Sequence, residues 1–332
     1  GIGGRQMFKA ETPGPMKDSK MTPRMAETAK GLWVVYTLIS VCCVLGYQWA
    51  GMTWLDAIMH MFATMGLGGF SSHDASFGYF NSPAIEVVSI VFMLIAGCNF
   101  ATHYVVLSGR SLRPYATDPE AGMFLLVTLG SVVGIAIFLD VHEVYPTFSE
   151  ALRFSAFNVV SIATTTGFAN TDYALWPFFA PLWMLFLSSF ATSAGSTGGG
   201  IKMIRAIVLY KQVYRELARA MHPNAVHPVK VGNEVVPPNI LFAVLAFGFM
   251  YMVCIASMTL ILSFSGLEII TAFTAVVASI NNTGPGLGQV GPANNFSVLT
   301  DFQTWVCTFA MLIGRLEIFT LLVVLTPAFW RK

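Results

Sequence analysis

Long apolar runs decide what this chain can become. They occupy residues 33–50, 123–139, 240–264 and 302–325, and each approaches or exceeds the ~20 residues that an α-helix needs to cross a bilayer core. Residues 84–107 and 178–190 supply two further candidates. One such run could be a secretory signal, but six spread along the chain cannot. Composition agrees: 55% of the residues are apolar and 11% charged, against roughly 25% charged in an ordinary soluble domain, and the mean hydropathy is +0.67. A net charge of +1 gives no footing for nucleic acid. The class that follows is an all-α polytopic membrane protein, whose partner along most of its length is the lipid bilayer.

Charge placement then orients the chain. Lys and Arg gather in residues 5–30, 110–113, 202–230 and 331–332. The connections 71–82, 140–150 and 170–177 carry none and hold Asp74, Asp140, Glu143 and Asp172. By the positive-inside rule the basic clusters face the cytoplasm. Of 18 basic residues, only Arg153 and Arg315 break the pattern. The cluster at 202–230 reads equally as a docking surface for a partner and as ordinary positive-inside charge.

The basic clusters also divide the chain into three similar units, residues 28–113, 114–232 and 233–332, after a connection at 1–27. Each unit has a long apolar segment, a shorter one beginning with an acid, a Gly-containing polar stretch and a second long segment. In the first unit these are 32–50, 56–63, 64–74 and 82–107; in the second, 121–139, 150–162, 163–172 and 177–209; in the third, 240–264, 268–280, 281–291 and 301–325. The shorter segment cannot span, so it dips in and returns on one side. Irregular backbone at membrane depth is tolerated where it is buried or lines a water-filled path. The repeated unit is therefore helix, pore helix, filter-like turn, helix, recurring about every hundred residues.

The three turns read Thr64-Met-Gly-Leu-Gly-Gly-Phe70, Thr164-Thr-Thr-Gly-Phe168 and Asn281-Asn-Thr-Gly-Pro-Gly286. Each sets a glycine after small or polar residues: Gly69, Gly167 and Gly284. Glycine accepts positive φ without steric cost, which lets successive carbonyls face one way, and rings of carbonyls can replace the hydration shell of a potassium ion. A separate stretch, 191–200, places four glycines and several hydroxyls inside a run long enough to span. Helix interiors disfavour Gly by ~1 kcal/mol each, so the helix is expected to break there, with Ser193, Ser196 and Thr197 satisfying freed backbone groups or facing the ion path. Gly195 to Lys202 fails as a phosphate loop, because Ile201 separates Gly200 from Lys202 and no Ser or Thr follows.

Other polar residues give weaker signals. The five cysteines, Cys42, Cys43, Cys98, Cys254 and Cys307, lie in apolar runs without CxxC spacing and read as packing residues. His60, His73, His103 and His142 show no metal-ligand spacing. Arg153 begins a pore helix and reads as structural. Arg315 sits mid-way through an apolar run, where an arginine costs a few kcal/mol or more, so it calls for an interior position and a partner. Glu86 is one candidate partner; Glu317, two positions along the helix, points elsewhere.

Together these stretches resemble the Trk/Ktr/HKT superfamily, specifically the TrkH-type membrane subunit of bacterial potassium uptake systems. The resemblance is carried by Phe8-Lys-Ala-Glu-Thr-Pro-Gly-Pro15, Gly68-Gly-Phe-Ser-Ser-His-Asp74, Thr164-Thr-Thr-Gly-Phe168, Ala194-Gly-Ser-Thr-Gly-Gly-Gly-Ile-Lys202, Asn281-Asn-Thr-Gly-Pro-Gly286 and Gly314-Arg-Leu-Glu317. It implies pore-loop units around a pseudo-fourfold pore, these three being the second, third and fourth, with a first unit expected ahead of Gly1. It implies a potassium filter at Thr64, Leu67, Gly68 and Gly69, at Thr165, Thr166, Gly167 and Phe168, and at Asn282, Thr283, Gly284 and Pro285. It also implies a gate below the filter made of Ala194, Gly195, Ser196, Thr197, Gly198, Gly199, Gly200 and Arg315, with Arg315 as an electrostatic barrier. Potassium is the transported ion and no organic cofactor is implied. The implied setting is the bacterial inner membrane, as a homodimer with a cytoplasmic nucleotide-binding regulatory subunit of the TrkA type. Two alternatives stand beside this reading. An intramembrane enzyme would need HExxH, GxSxG or paired aspartates at helix depth, and none is present; Asp56, Asp140 and Asp301 lie near segment ends. A non-conducting structural subunit explains the apolar runs but not the repeated glycines.

Overall fold

The computed structural model describes residues 25–224, 227–232, 234–316 and 318–330. Most of the basic connection at 1–27, Glu317, Arg331 and Lys332 therefore lie outside the described residues. Among the described residues, three helices are long and apolar enough to cross a membrane: the first helix, α1 (Met25–Trp49), over residues 29–49, then α6 (Pro119–Val141) and α10 (Pro238–Phe264).

After each of these comes a shorter helix: α2 (Trp54–Met65), α7 (Phe148–Ala163) and α11 (Ile269–Asn281). Two of the three start on the same sequence device. Thr53 and Thr147 accept the N–H of Asp56 and Glu150 three residues on, at 3.2 and 3.3 Å, which satisfies an orphan donor of the first turn.

The second long segments are all interrupted. Residues 84–107, expected as one span, form α3 (Pro83–Gly97) and α4 (Phe100–Gly109), bent by 97°. The bend follows from Asn99, whose side chain accepts the Ala101 N–H at 2.8 Å and so starts a new helix. In the second unit α8 (Phe179–Ser188) and α9 (Met203–Met221) flank the glycine-rich loop, with α5 (Arg113–Thr117) leading into the unit. Residues 302–325, also expected as one span, divide into α12 (Asp301–Arg315) and α13 (Ile318–Leu325), followed by α14 (Pro327–Trp330). Gly314 lies in the last turn before that break. A Cβ there would sit 1.7 Å from the Ile280 carbonyl oxygen, so close packing on α11 requires a residue of poor helix propensity. A two-stranded hairpin, β1 (Lys230–Val231) with β2 (Glu234–Val235), is the one sheet among the described residues.

Packing is stepwise. Within the units α1, α2 and α3 pack together, as do α6, α7 and α8, and α10, α11 and α12. Between units, α3 packs on α7 and α8 on α11, so each second helix covers the next short helix. The middle short helix is enclosed, with Phe157, Val159 and Val160 fully buried, whereas α2 leaves Trp54, Leu55, Ile58, Met59 and Phe62 exposed. Glu86 does not partner Arg315. Its carboxylate takes two bonds from Arg153, both 2.8 Å, joining α3 to α7.

Candidate functional site

The three short helices end alike. The Leu67 N–H donates to the Thr64 carbonyl at 3.2 Å and the Gly68 N–H to the Ala63 carbonyl at 2.8 Å. Thr165 and Thr166 repeat this on Ile162 and Ser161 at 3.0 and 2.8 Å, and Asn282 and Thr283 on Ser279 and Ala278 at 3.0 and 2.9 Å. This nested pair of bonds is the Schellman motif, which needs a left-handed residue where the helix stops. Leu67, Thr165 and Asn282 fill it at φ 49, 61 and 54°, and two residues later Gly69, Gly167 and Gly284 follow at φ 67, 90 and 99°. Sequence reading found the glycines but not this first positive-φ position. Only Asn282 announces it by residue type.

The turns face one another in order. A Cβ on Gly69 would lie 2.2 Å from the Thr166 carbonyl oxygen, and one on Gly167 would lie 2.0 Å from the Thr283 carbonyl oxygen. Each glycine thus lets its turn approach a carbonyl of the next unit. A Cβ on Gly284 would meet no described atom within 4 Å beyond its chain neighbours. Pro285 closes on Gly167, its Cδ 3.0 Å from the Gly167 Cβ position. Phe168 is fully buried, packs on Phe77 with ring centroids 4.5 Å apart, and its carbonyl accepts the Ser161 hydroxyl at 2.7 Å. At the end of α2 the Thr64 hydroxyl bonds Tyr47 at 2.6 Å and its carbonyl accepts the Leu67 N–H.

Residues 191–202 run beneath all three turns. The Thr197 hydroxyl donates to the Met65 carbonyl at 2.9 Å, at the end of α2. The Gly199 N–H donates to Thr165 Oγ1 at 2.8 Å, at the end of α7. Against α11, a Cβ on Gly199 would lie 1.9 Å from the Asn281 carbonyl oxygen; any larger residue would part the loop from the third turn. Arg315, expected at an interior position with a partner, is instead exposed among the described residues, but it does find a partner, donating through Nη1 to the Thr197 carbonyl at 3.0 Å. Ser196 turns back on the Ser193 carbonyl at 2.6 Å, while the Ser193 and Thr197 N–H groups donate to the Gly97 and Ala96 carbonyls at 3.0 and 3.4 Å, the groups freed by the α3–α4 bend. The Gly198 carbonyl accepts Lys202 Nζ. Gly200, at φ 80°, turns the loop towards α9.

Several residues that the sequence reading passed over complete this arrangement. Asn281 donates to the Ser188 and Ser189 hydroxyls at 2.9 and 3.2 Å and accepts from Tyr251 at 2.7 Å, tying the end of α8 to α11 and α10. Thr192 donates to the Gly199 carbonyl at 2.8 Å, and Ala194 donates to Glu120. Lys202 and Arg205 fall inside the basic cluster; Lys202 is half-buried, and Arg205 is 8% exposed, with its guanidinium carbon 3.9 Å from the Phe247 ring centroid.

Comparison with known proteins places this arrangement. The family model TrkH, described as a cation transport protein, matches residues 1–332. The chain is 49% identical over 333 residues to the Trk system potassium uptake protein TrkH of Salmonella typhimurium, covering 100% of this chain and 68% of that protein. Identity to the protein of the same description from Halomonas elongata is 44% over 333 residues, with the same coverage. The crystal structure of the potassium transporter TrkH from Vibrio parahaemolyticus superposes with a TM-score of 0.89 at 44% identity, covering 94% of this chain and 66% of that one. The chain thus spans about two thirds of the length of these relatives. They are transporters, which removes the intramembrane enzyme as an alternative. This mostly helical chain of apolar spans, matched by the family model over residues 1–332, belongs to the TrkH family of cation transport proteins.

Proposed function

We propose that the protein carries potassium ions across the bacterial inner membrane, along an axis ringed by the three turns and obstructed by the glycine-rich loop. Units 28–113, 114–232 and 233–332 each contribute one turn. Filter carbonyls come from Leu67, Gly68 and Gly69, from Thr165, Thr166 and Gly167, and from Asn282, Thr283 and Gly284, with Phe168 and Pro285 as packing at the turns. Carbonyls on neighbouring turns substitute for water around the dehydrated ion. Below them the loop from Ala194 to Gly200 is a steric barrier and Arg315 a positive one, since a fixed guanidinium in a narrow path repels cations. A homodimer regulated by a nucleotide-binding subunit of the TrkA type, docked on the basic side, completes the reading.

The observation that carries it is that one loop touches the ends of α2, α7 and α11 at once, through Thr197, Gly199 and the Gly199–Asn281 approach. A loop serving only to connect α8 and α9 has no need to meet all three turns. Deleting 194–199, or replacing Arg315 with Ala, is expected to raise rubidium or potassium flux into proteoliposomes several-fold without the regulatory partner. Reduced flux from both variants, in correctly inserted protein, would make the loop a support and not a gate.

A further inference from the structure

One anchor of the glycine-rich loop is a buried acid outside the ion path. Glu120 lies in the first turn of α6 and is 6% exposed. Its Oε2 accepts the Ala194 N–H at 2.6 Å. The neighbouring acid is committed elsewhere. Asp118 caps α6 by accepting the N–H groups of Glu120 and Ala121 at 2.9 and 3.4 Å, and accepts the Thr102 hydroxyl at 2.7 Å. One residue beyond Ala194, the Gly195 carbonyl accepts the Phe100 N–H at 3.1 Å, from the first turn of α4. The loop is therefore pinned between two helix N-termini, an acceptor from one and a donor from the other. A short connection through Arg110, Arg113 and α5 joins α4 to α6 on the basic side of the protein.

We propose that Glu120 is a positioning residue of this loop: it ties Ala194 to the corner between α5 and α6, so that displacement of that corner moves the loop relative to the three turns. The inference rests on the reading of the loop as a gate. It assigns the mechanical link to a single hydrogen bond between an α6 side chain and the loop backbone. A regulator acting on the basic side could pull that link without touching the loop itself.

The test uses the intact protein in partner-free proteoliposomes, with potassium flux and sodium competition as readouts. Glu120→Met keeps the side-chain volume and removes the acceptor, while Glu120→Gln keeps an acceptor oxygen. The expected result is at least a threefold rise in basal flux for Glu120→Met, return to within twofold of the parent for Glu120→Gln, and an unchanged potassium preference in both. General loosening of the protein would shift preference along with flux. Flux unchanged or reduced in inserted Glu120→Met protein overturns the proposal, as does Glu120→Gln behaving like Glu120→Met. If Glu120→Met fails to insert, Ala194→Pro, which deletes the donor of the same bond, replaces it with the same readings. A protein lacking 194–199 runs in parallel. If that deletion leaves flux unchanged, the gate reading itself fails; if it raises flux while Glu120→Met does not, only the positioning role fails.

Discussion

Leu67 and Thr165 hold left-handed backbone that bulky or β-branched residues rarely adopt, at a cost of about 1–3 kcal/mol each. Such strain persists where the surroundings over-determine it. For Thr165 the determinant is visible: its Oγ1 accepts the Gly199 N–H, so the turn is braced by the glycine-rich loop. Gly167 has no such latitude. Its φ is 90°, and a Cβ would lie 2.0 Å from a backbone oxygen of the next unit. Gly167→Ser is therefore expected to lower potassium preference over sodium about tenfold or more, a loss of roughly 1.4 kcal/mol of discrimination. Proteoliposome uptake with sodium competition reads this directly. Unchanged preference in folded protein would remove Gly167 from the filter.

Between elements, the clearest electrostatic join is Arg153 with Glu86. It links α3 and α7 across 67 residues of sequence, with the Glu86 side chain 3% exposed. A third Arg153 bond reaches Asn81 Oδ1 at 3.0 Å. Removing one partner of a buried pair strands the other's charge and costs about 3–5 kcal/mol, whereas replacing both is often nearly neutral. Arg153→Met is thus expected to lower the melting temperature markedly in detergent, and adding Glu86→Gln to restore most of it. A double variant no better than the single one would show that the arginine acts through packing alone. The α3–α4 bend belongs to this scale too. It frees the Ala96 and Gly97 carbonyls, and the loop of the next unit supplies their donors. A straight helix there would leave the Ser193 and Thr197 N–H groups without those acceptors.

At the scale of the whole molecule, orientation in the bilayer follows from charge. The positive-inside rule sets the connection at 110–113 in the cytoplasm and the loop after Phe70 on the opposite side. Asp74→Cys and Ser111→Cys, both at exposed positions, are expected to react with a membrane-impermeant thiol reagent from opposite faces in a cysteine-free background. Labelling of both from one face would invert or abolish the proposed topology. The same scale contains the ordered approach of the turns, Gly69 on Thr166 and Gly167 on Thr283. That order brings together segments about a hundred residues apart in the chain.

How much of this was legible in advance depends on the range of the cause. The long spans were readable because a bilayer fixes their length and composition residue by residue. The short helices were readable from an apolar stretch too brief to cross, opened by the Thr53–Asp56 and Thr147–Glu150 pairs. The glycine-rich break was readable from helix propensity. Hydropathy is blind to a bend, so residues 84–107 looked like one span, and the Asn99 cap emerged only from the structure. Nothing local to Glu120 says that its carboxylate meets Ala194, 74 residues away. The same is true of Glu86 choosing Arg153 over Arg315. Local energetics settled where helices run, break and turn, since propensity, capping and lipid solvation act over a few residues. Which groups meet was decided by the tertiary structure alone, because a buried polar atom takes whichever partner the packing brings within about 3 Å.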